Sequence, residues 1–536
     1  MQYKNPIIPG FHPDPSICRV GEDYYIVTSS FEFLPGLPIF HSKDLINWKQ
    51  IGHCLTRPEQ MEFPNCMSTG GIFAPTIRYH QGTFYVVSTN VNHEGAMAPG
   101  GSGNFIVTAT EPAGDWSDPI WVSQGGIDPS LFWDDNGKVY FTSTIPAMNE
   151  EGNLKNAIWQ AEINPDTGEL LTESKIISYG CGGRFAEGPH IYKKDGYYYL
   201  LLAEGGTEFG HMETISRSKS IWGPFENCPH NPILTASQEN DPTLAATGHA
   251  DLVEAHDGSW WVVFLCYRLS ENYYHHMGRE TSIAPVEWID GWPVIYDGKT
   301  PQVMMEAECL PQKSITDKTP IRTHFAGQEL GLEWNFIRTY YNGFSVTDHP
   351  GYLTLKGNAA TLSDKATPAF IGRRIDHFEF RAETLIDFEP EKDGEEAGLA
   401  IAHTTGAHYE FVLTKKDGVK KALVRKTLFD MTTETYYQIN SEGPVHLQII
   451  GDRYDVIFNI GIDGAYMEVG RGLVKLLSSE VAGGCLGTYV GMYASGNGKD
   501  MTTEVKYEWF DYERLPEKAK KPMFFQSRSM KDKRNY

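Results

Sequence analysis

DPSICRVGEDYYIVTSS (14–30) reads as a pair of short strands around a turn: small and polar residues, an apolar run, a glycine, then aromatic and β-branched residues. The pattern returns four times, as APTIRYHQGTFYVVSTN (74–90), DPSLFWDDNGKVYFTST (128–144), EGPHIYKKDGYYYLLLAE (187–204) and HADLVEAHDGSWWVVFLC (249–266). Asn136-Gly137, Asp195-Gly196 and Asp257-Gly258 are strong signals for short hairpin loops. Aligned on Tyr25, Tyr85, Tyr140, Tyr199 and Trp261, the second strands recur at spacings of 60, 55, 59 and 62 residues. A near-constant period with about four strands per unit predicts a β-propeller, here of five blades. Each blade's first strand lies next to the axis, so the starts of these strands converge on one end of a central funnel.

Asp14 precedes its aligned aromatic by 11 residues, and Phe73, Asp128, Glu187 and His249 precede theirs by 12. Three carboxylates, one aromatic ring and one imidazole therefore occupy equivalent places. Asp-Pro is also a plain turn signal, which accounts for Asp14-Pro15 and Asp128-Pro129 taken alone. It does not account for Glu187, nor for acidic residues falling on the strand starts that face the axis. Such a set suits glycosidic cleavage, which needs a protonated carboxyl to assist the leaving oxygen and an ionised carboxylate on the other face. In an inverting enzyme the two stand about 6.5–9.5 Å apart, leaving room for a water, and separate blades suit that gap. A third carboxylate can raise the acid's pKa by like-charge repulsion. Glu187, flanked by apolar residues in FAEGPH, is the better acid; Asp14, in the HPDPS turn, is the better base.

The 536 residues carry a net charge of −23, which opposes phosphate backbones and anionic lipid surfaces, so neither nucleic acid nor membrane is an expected partner. No stretch approaches the apolar length of a membrane span, and MQYKNPIIPGFHPDPS has no signal-peptide core. The eight cysteines are scattered without a C-x-x-C pair, which reads as free thiols in a reducing cytoplasm. PQKSITDKTPIRTHF (311–325) breaks the repeat. The expected organisation is an all-β chain: propeller over 1–312, linker over 313–328 and a jelly-roll β-sandwich over 329–536. The tail after Leu515 is basic, carrying Lys518, Lys520, Lys521, Arg528, Lys531, Lys533 and Arg534. It is expected to dock on the acidic surface of its own chain or to fray.

The chain resembles the two-domain β-xylosidases of glycoside hydrolase family 43, some of which also act on α-L-arabinofuranosides. The stretches that carry the resemblance are NPIIPGFHPDPS (5–16), GGIFAPTIRYH (70–80), GGIDPSLF (125–132), RFAEGPHIY (184–192), TGHADLVE (247–254) and GRETSIAPVEW (278–288). It implies an inverting mechanism, with Asp14 as general base, Glu187 as general acid and Asp128 tuning and orienting that acid. Arg279 is expected to reach toward Asp128 and the bound sugar. Phe73 stands where the family pattern reads Trp, which implies an altered sugar contact with stacking retained. Phe31 matches the family's pocket-wall aromatic, with ordinary core packing as the equal alternative. A loop from the sandwich, placed at Ala494–Met501, is expected to close the pocket, so that one sugar is removed at a time from a non-reducing end. The implied substrate is a β-1,4-xylooligosaccharide and the implied assembly a homo-oligomer, dimer or tetramer. The chemistry requires no cofactor. Family members often hold Ca²⁺ or another divalent cation near the axis, and His249, His275 and His276 are the candidate ligands; for His249 a hydrogen-bonded core role is the alternative. Rival readings are an enzyme acting mainly on α-L-arabinofuranosides and a non-catalytic glycan-binding propeller. A fructan-cleaving propeller would need an Asn-Asp-Pro-Asn opening, which the sequence lacks.

Overall fold

The computed structural model describes residues 2–92, 103–239, 243–270, 273–307, 321–327, 329–440, 442–462 and 464–518. Its first part consists of five successive antiparallel sheets. Their first strands are Ser16–Val20, Thr76–His80, Ile127–Trp133, Glu187–Lys194 and Ala245–Glu254. Each of these touches the next and the fifth touches the first, which closes the ring of a propeller. The aromatics that set the repeat lie in the second strands, and Tyr85, Tyr140, Tyr199 and Trp261 are buried between neighbouring sheets. The Asp195-Gly196 turn has φ of 50° and 73° at its two central residues, the doubly left-handed geometry that matches the twist of a hairpin. Gln81-Gly82, at 47° and 88°, turns the same way without an Asn or Asp to announce it.

An ionic tie crosses the axis. Arg78 of the second blade donates to both Asp251 oxygens of the fifth, at 2.8 and 3.1 Å, and to His190 of the fourth at 3.0 Å. Ser16 of the first blade and Tyr192 of the fourth donate to the same carboxylate. The ring is also tied end to end, since Gln2–Lys4 pairs with Met304–Glu306 and Asn5 hydrogen-bonds both backbone groups of Ile283.

The second part is a sandwich of two antiparallel sheets. One contains Phe380–Asp387, Val445–Gly451, Asp455–Ile462, Ala465–Leu473 and Val505–Arg514; the other contains Ala369–Arg374, Glu396–Thr404, Ala407–Lys416, Val419–Leu428, Met431–Gln438 and Tyr489–Ser495. The sandwich begins earlier than the sequence suggests. Arg322–His324, inside the stretch expected to be linker, already pairs with Asp511, Phe510 and Trp509. Two features hid this strand: it is only three residues long and its side chains stay partly or fully exposed, so it shows no apolar alternation. The expected linker residues 313–320 lie outside the described residues, as does the basic tail beyond Lys518; Lys518 itself pairs with Asp452 at 3.0 Å.

The six-stranded sheet is covered on both faces. One face packs on the other sheet, through residues such as Leu399, Ile401, Phe411 and Leu413. The opposite face carries Phe370, Val412, Leu423, Tyr489 and Tyr493 and packs on Phe11, Phe31 and Phe33 of the propeller. Phe33 stacks flat on Tyr489 at 3.8 Å, and Phe33–Leu34 pairs with Phe336–Ile337. Double coverage explains why EAGLAIAHT (396–404) is almost continuously apolar where a one-sided strand alternates. A buried ion pair between Glu32 and Arg338, at 2.7 Å, crosses the same seam.

Candidate active site

Asp14, Asp128 and His249 sit at the funnel ends of three blades and share a backbone conformation, with φ of 54°, 54° and 48°. The left-handed region is costly for residues other than glycine and persists where surrounding structure enforces it. At Asp128 and His249 the enforcing device is a bulge, whereas Ser16–Val20 behind Asp14 pairs with Asp23–Val27 without a slip. Pairing slips between Ile127 and Ser130 in the third blade, between Glu187 and His190 in the fourth, and between Gly248 and Asp251 in the fifth. A bulge bends the strand start and re-aims its side chains. The inner strands can therefore pack as ordinary sheet below while their first residues face one another above.

Asp14 is buried and both its oxygens are occupied: Arg279 donates to one and the Ser29 hydroxyl to the other. His249 Nδ1 stands 3.7 Å from the oxygen that Arg279 holds. Arg279 was expected to reach toward Asp128; its hydrogen bond goes instead to Asp14, because His12 N–H bonds to Arg279 O at 3.0 Å and lays the arginine alongside the Asp14 turn. Asp128 is also buried, and its Oδ2 accepts the Gly188 N–H at 3.2 Å, which couples it to the backbone beside Glu187. Burial pushes the Asp128 carboxyl up, with Asp14's charge adding and His249, the Gly188 N–H and Arg279 opposing. Glu187 is half-buried, and its carboxyl is held well above the ordinary range, first by burial and then by the charges of Asp128 and Asp14, against Arg279. The three carboxyl groups thus act on one another across three blades, and the upward push is greatest at Glu187.

The aromatic wall is Phe31, whose ring lies 5.0 Å from Phe73 and 5.6 Å from Phe11, with the Arg279 guanidinium 5.2 Å over its face. Phe31 thus packs in the seam and borders the charged cluster at once. His211 closes the floor. It is fully buried, its ring fills the space beside Gly248, and burial, then His249 and Arg279, push it down to about 3, so it is neutral.

The three imidazoles expected to share a cation do not meet. His275 stacks flat on Tyr267 at 3.8 Å and its Nδ1 pairs with Glu480 of the sandwich at 2.6 Å; His276 faces Phe378. Both side chains are drawn into the seam between the domains and away from His249. Among the described residues, no three His, Cys, Asp or Glu side chains form a metal-holding group.

The sandwich segment that reaches the cluster is Ser478–Thr488, not Ala494–Met501. The latter stays within the sandwich, bonded to Gly357, Asn358 and Ala359. In the former, Gly484 lies against Thr69, Gly487 against Met277 and Gly278, and half-buried Cys485 packs with the cluster of Phe31 and Leu486. Cys485 also feels the charges of Arg279, Asp14 and Glu187, and burial pushes its thiol up. The signal for this segment was AGGCLG itself: a side chain at Gly484 or Gly487 would meet its neighbour at 2.3 or 2.4 Å, so glycine is demanded at both. Ser29 and Glu480 carried no such signal, because only the fold brings them to Asp14 and His275.

Residues 3–293 match the model of the glycosyl hydrolases family 43, and residues 322–513 match that of the β-xylosidase C-terminal concanavalin A-like domain. A non-reducing end α-L-arabinofuranosidase of Bacteroides ovatus is 43% identical, over 95% of this chain and 94% of its own. A xylosidase/arabinosidase of Butyrivibrio fibrisolvens is 38% identical, over 95% and 99%. The crystal structure of a xylan β-1,4-xylosidase of Bacillus halodurans superposes with a TM-score of 0.89 at 34% identity, over 96% of this chain and all of that one. With both family models matched in chain order and near full-length similarity to these relatives, the protein belongs to glycoside hydrolase family 43.

Proposed function

We propose that this family 43 glycoside hydrolase releases D-xylose, one unit at a time, from the non-reducing ends of β-1,4-xylooligosaccharides, with inversion at the anomeric carbon. The observation that carries the reading is the contrast between two carboxyl groups on different blades: Glu187, pushed up by burial and like charge, and Asp14, met by donors from Arg279 and Ser29. In the reaction Glu187 gives its proton to the glycosidic oxygen as the bond from that oxygen to the anomeric carbon breaks. Asp14 takes a proton from a water that attacks the opposite face. The water's oxygen becomes the new anomeric hydroxyl, Glu187 is left ionised and Asp14 protonated, and exchange with solvent restores both. Asp128 holds the backbone next to the acid and keeps the acid's pKa high. Arg279 orients the base, and Phe31 and Phe73 provide an apolar wall for the sugar.

Proton NMR of fresh product from xylobiose tests this: α-xylose is expected first, and β-xylose first would remove Asp14 from the role of base. The reaction balances without a cofactor. A divalent cation touching His249 would serve charge balance alone, so chelator treatment is expected to change the rate on xylobiose by less than a proton-transfer group's roughly hundredfold. A second reading, hydrolysis of terminal α-L-arabinofuranosides, is favoured by the name of the Bacteroides ovatus relative. Comparing kcat/KM on xylobiose and on 4-nitrophenyl α-L-arabinofuranoside decides between the two sugars.

A further inference from the structure

Burial does not explain Phe185. It lies two positions before Glu187, on the funnel side of the fourth blade's first strand, and it is 50% exposed. Its φ is 53°, a conformation that costs a bulky L-residue roughly 1–2 kcal/mol. A large exposed aromatic side chain in a strained backbone gains nothing from the core to offset that strain. The strain is nonetheless firmly held. Fully buried Glu204 accepts the N–H groups of Cys181 and Gly183, which fixes the loop leading to Phe185. Gly205 N–H bonds to Arg184 O at 2.7 Å, and Arg184 Nη2 returns a bond to Gly205 O at 3.2 Å. Gly206 leaves room for the ring, since a Cβ there would stand 3.0 Å from Phe185 Cδ2. The Arg184 guanidinium lies 5.3 Å over the ring. Strain that several hydrogen bonds over-determine, beside a catalytic group, is a mark of a functional surface.

From this we propose that Phe185 and Arg184 form the leaving-group subsite, the platform that receives the sugar beyond the scissile bond. Glu187 must face the glycosidic oxygen, so the residues just before it, in the loop that enters the Glu187–Lys194 strand, meet what is attached to that oxygen. A half-exposed aromatic ring suits the C–H face of a pyranose, and the adjacent guanidinium supplies donors for its hydroxyls. The proposal rests on the glycosidase reading above, and its test is built to fail separately from it.

The test compares xylobiose with methyl β-D-xyloside. Both have poor alkoxide leaving groups that need the same proton, but only xylobiose places a sugar ring in the proposed subsite. Phe185→Ala is expected to lower kcat/KM on xylobiose roughly tenfold, the scale of one aromatic contact, and to leave methyl xyloside within about twofold. Phe185→Trp is expected to restore xylobiose hydrolysis. Because the ring is exposed and alanine keeps the same left-handed φ, the melting temperature of the alanine variant should be little changed. Equal losses on both substrates, or no loss on xylobiose, would overturn the subsite. Wild-type inactivity on both would overturn the xylosidase reading instead; the subsite is then read, with the same expectations, on an arabinosylated xylooligosaccharide against methyl α-L-arabinofuranoside.

Discussion

At the scale of single residues, the chemistry turns on which carboxyl group keeps its proton. Burial and like charge push the Glu187 carboxyl up, which favours its protonated form, so its loss should be felt in proportion to how badly the leaving group needs a proton. Glu187→Ala is expected to slow xylobiose by about 10²–10⁴-fold while sparing activated aryl glycosides, and Asp14→Ala to slow both classes alike. Steady-state kinetics on the two substrates measures the contrast. The alkaline limb of the pH profile follows from the same group. A general acid works only while protonated, so kcat/KM must fall as pH rises through the raised pKa of Glu187. Asp128 is one cause of that rise, after burial. Asp128→Asn removes the charge and should move the alkaline limb to lower pH, with burial retaining part of the elevation. A limb that stayed in place on a xylobiose profile would show that Asp128 acts only by holding Gly188.

At the scale of strands, the blades must be tied at the axis while their funnel ends diverge from ideal pairing. The tie is Arg78–Asp251, flanked by Ser16, His190 and Tyr192. Burial alone would push the Asp251 carboxyl up, but Arg78 and then His190 outweigh it and hold it well below the usual carboxylate range. A depressed folded-state pKa contributes stability that is complete above the unfolded value of about 3.9 and is lost as pH falls through the folded one. Asp251→Asn leaves a buried guanidinium without its counter-charge and should cost about 3–5 kcal/mol at neutral pH, measured by urea unfolding. The variant should also lose less stability than the wild type on acidification. Much of this scale was legible in advance. The aromatic anchors, the turns and the aligned Asp14, Asp128, Glu187 and His249 follow from a period that any reader can count. The left-handed φ at Asp128 and His249 was not legible, because a bulge leaves no compositional mark. Nor was the partner of Arg279, since counting along a strand does not say which of two nearby carboxylates a long side chain meets.

At the scale of the whole molecule, the sandwich grips the segment that delivers Arg279. His275 is held by Glu480, the His276 carbonyl accepts both the N–H and the hydroxyl of Thr488, at 2.8 and 2.6 Å, and Met277 is buried in the core of the sandwich itself. Gly278 then meets Gly487 backbone to backbone, and Arg279 follows, turned toward Asp14. These contacts join residues some two hundred positions apart, such as His275 and Glu480, so no local pattern could foretell them, and the two histidines looked like ligands for want of their true partners. If the grip only stabilises the fold, weakening it should lower the melting temperature and leave the folded enzyme's turnover intact. If it sets the position of Arg279, turnover must fall with it. Gly487→Ala would place a Cβ 2.4 Å from the Met277 carbonyl oxygen, a backbone atom that cannot yield without moving the strand. Such overpacking costs about 1–3 kcal/mol, so the variant should still fold, and kcat on xylobiose is expected to drop about tenfold or more. Thr488→Val is the milder companion: it removes the hydroxyl bond, keeps the N–H bond and should cost about 1 kcal/mol with a smaller fall in kcat. Turnover that stayed at the wild-type value in both variants, measured well below their melting temperatures, would leave the sandwich as a support for the propeller and nothing more.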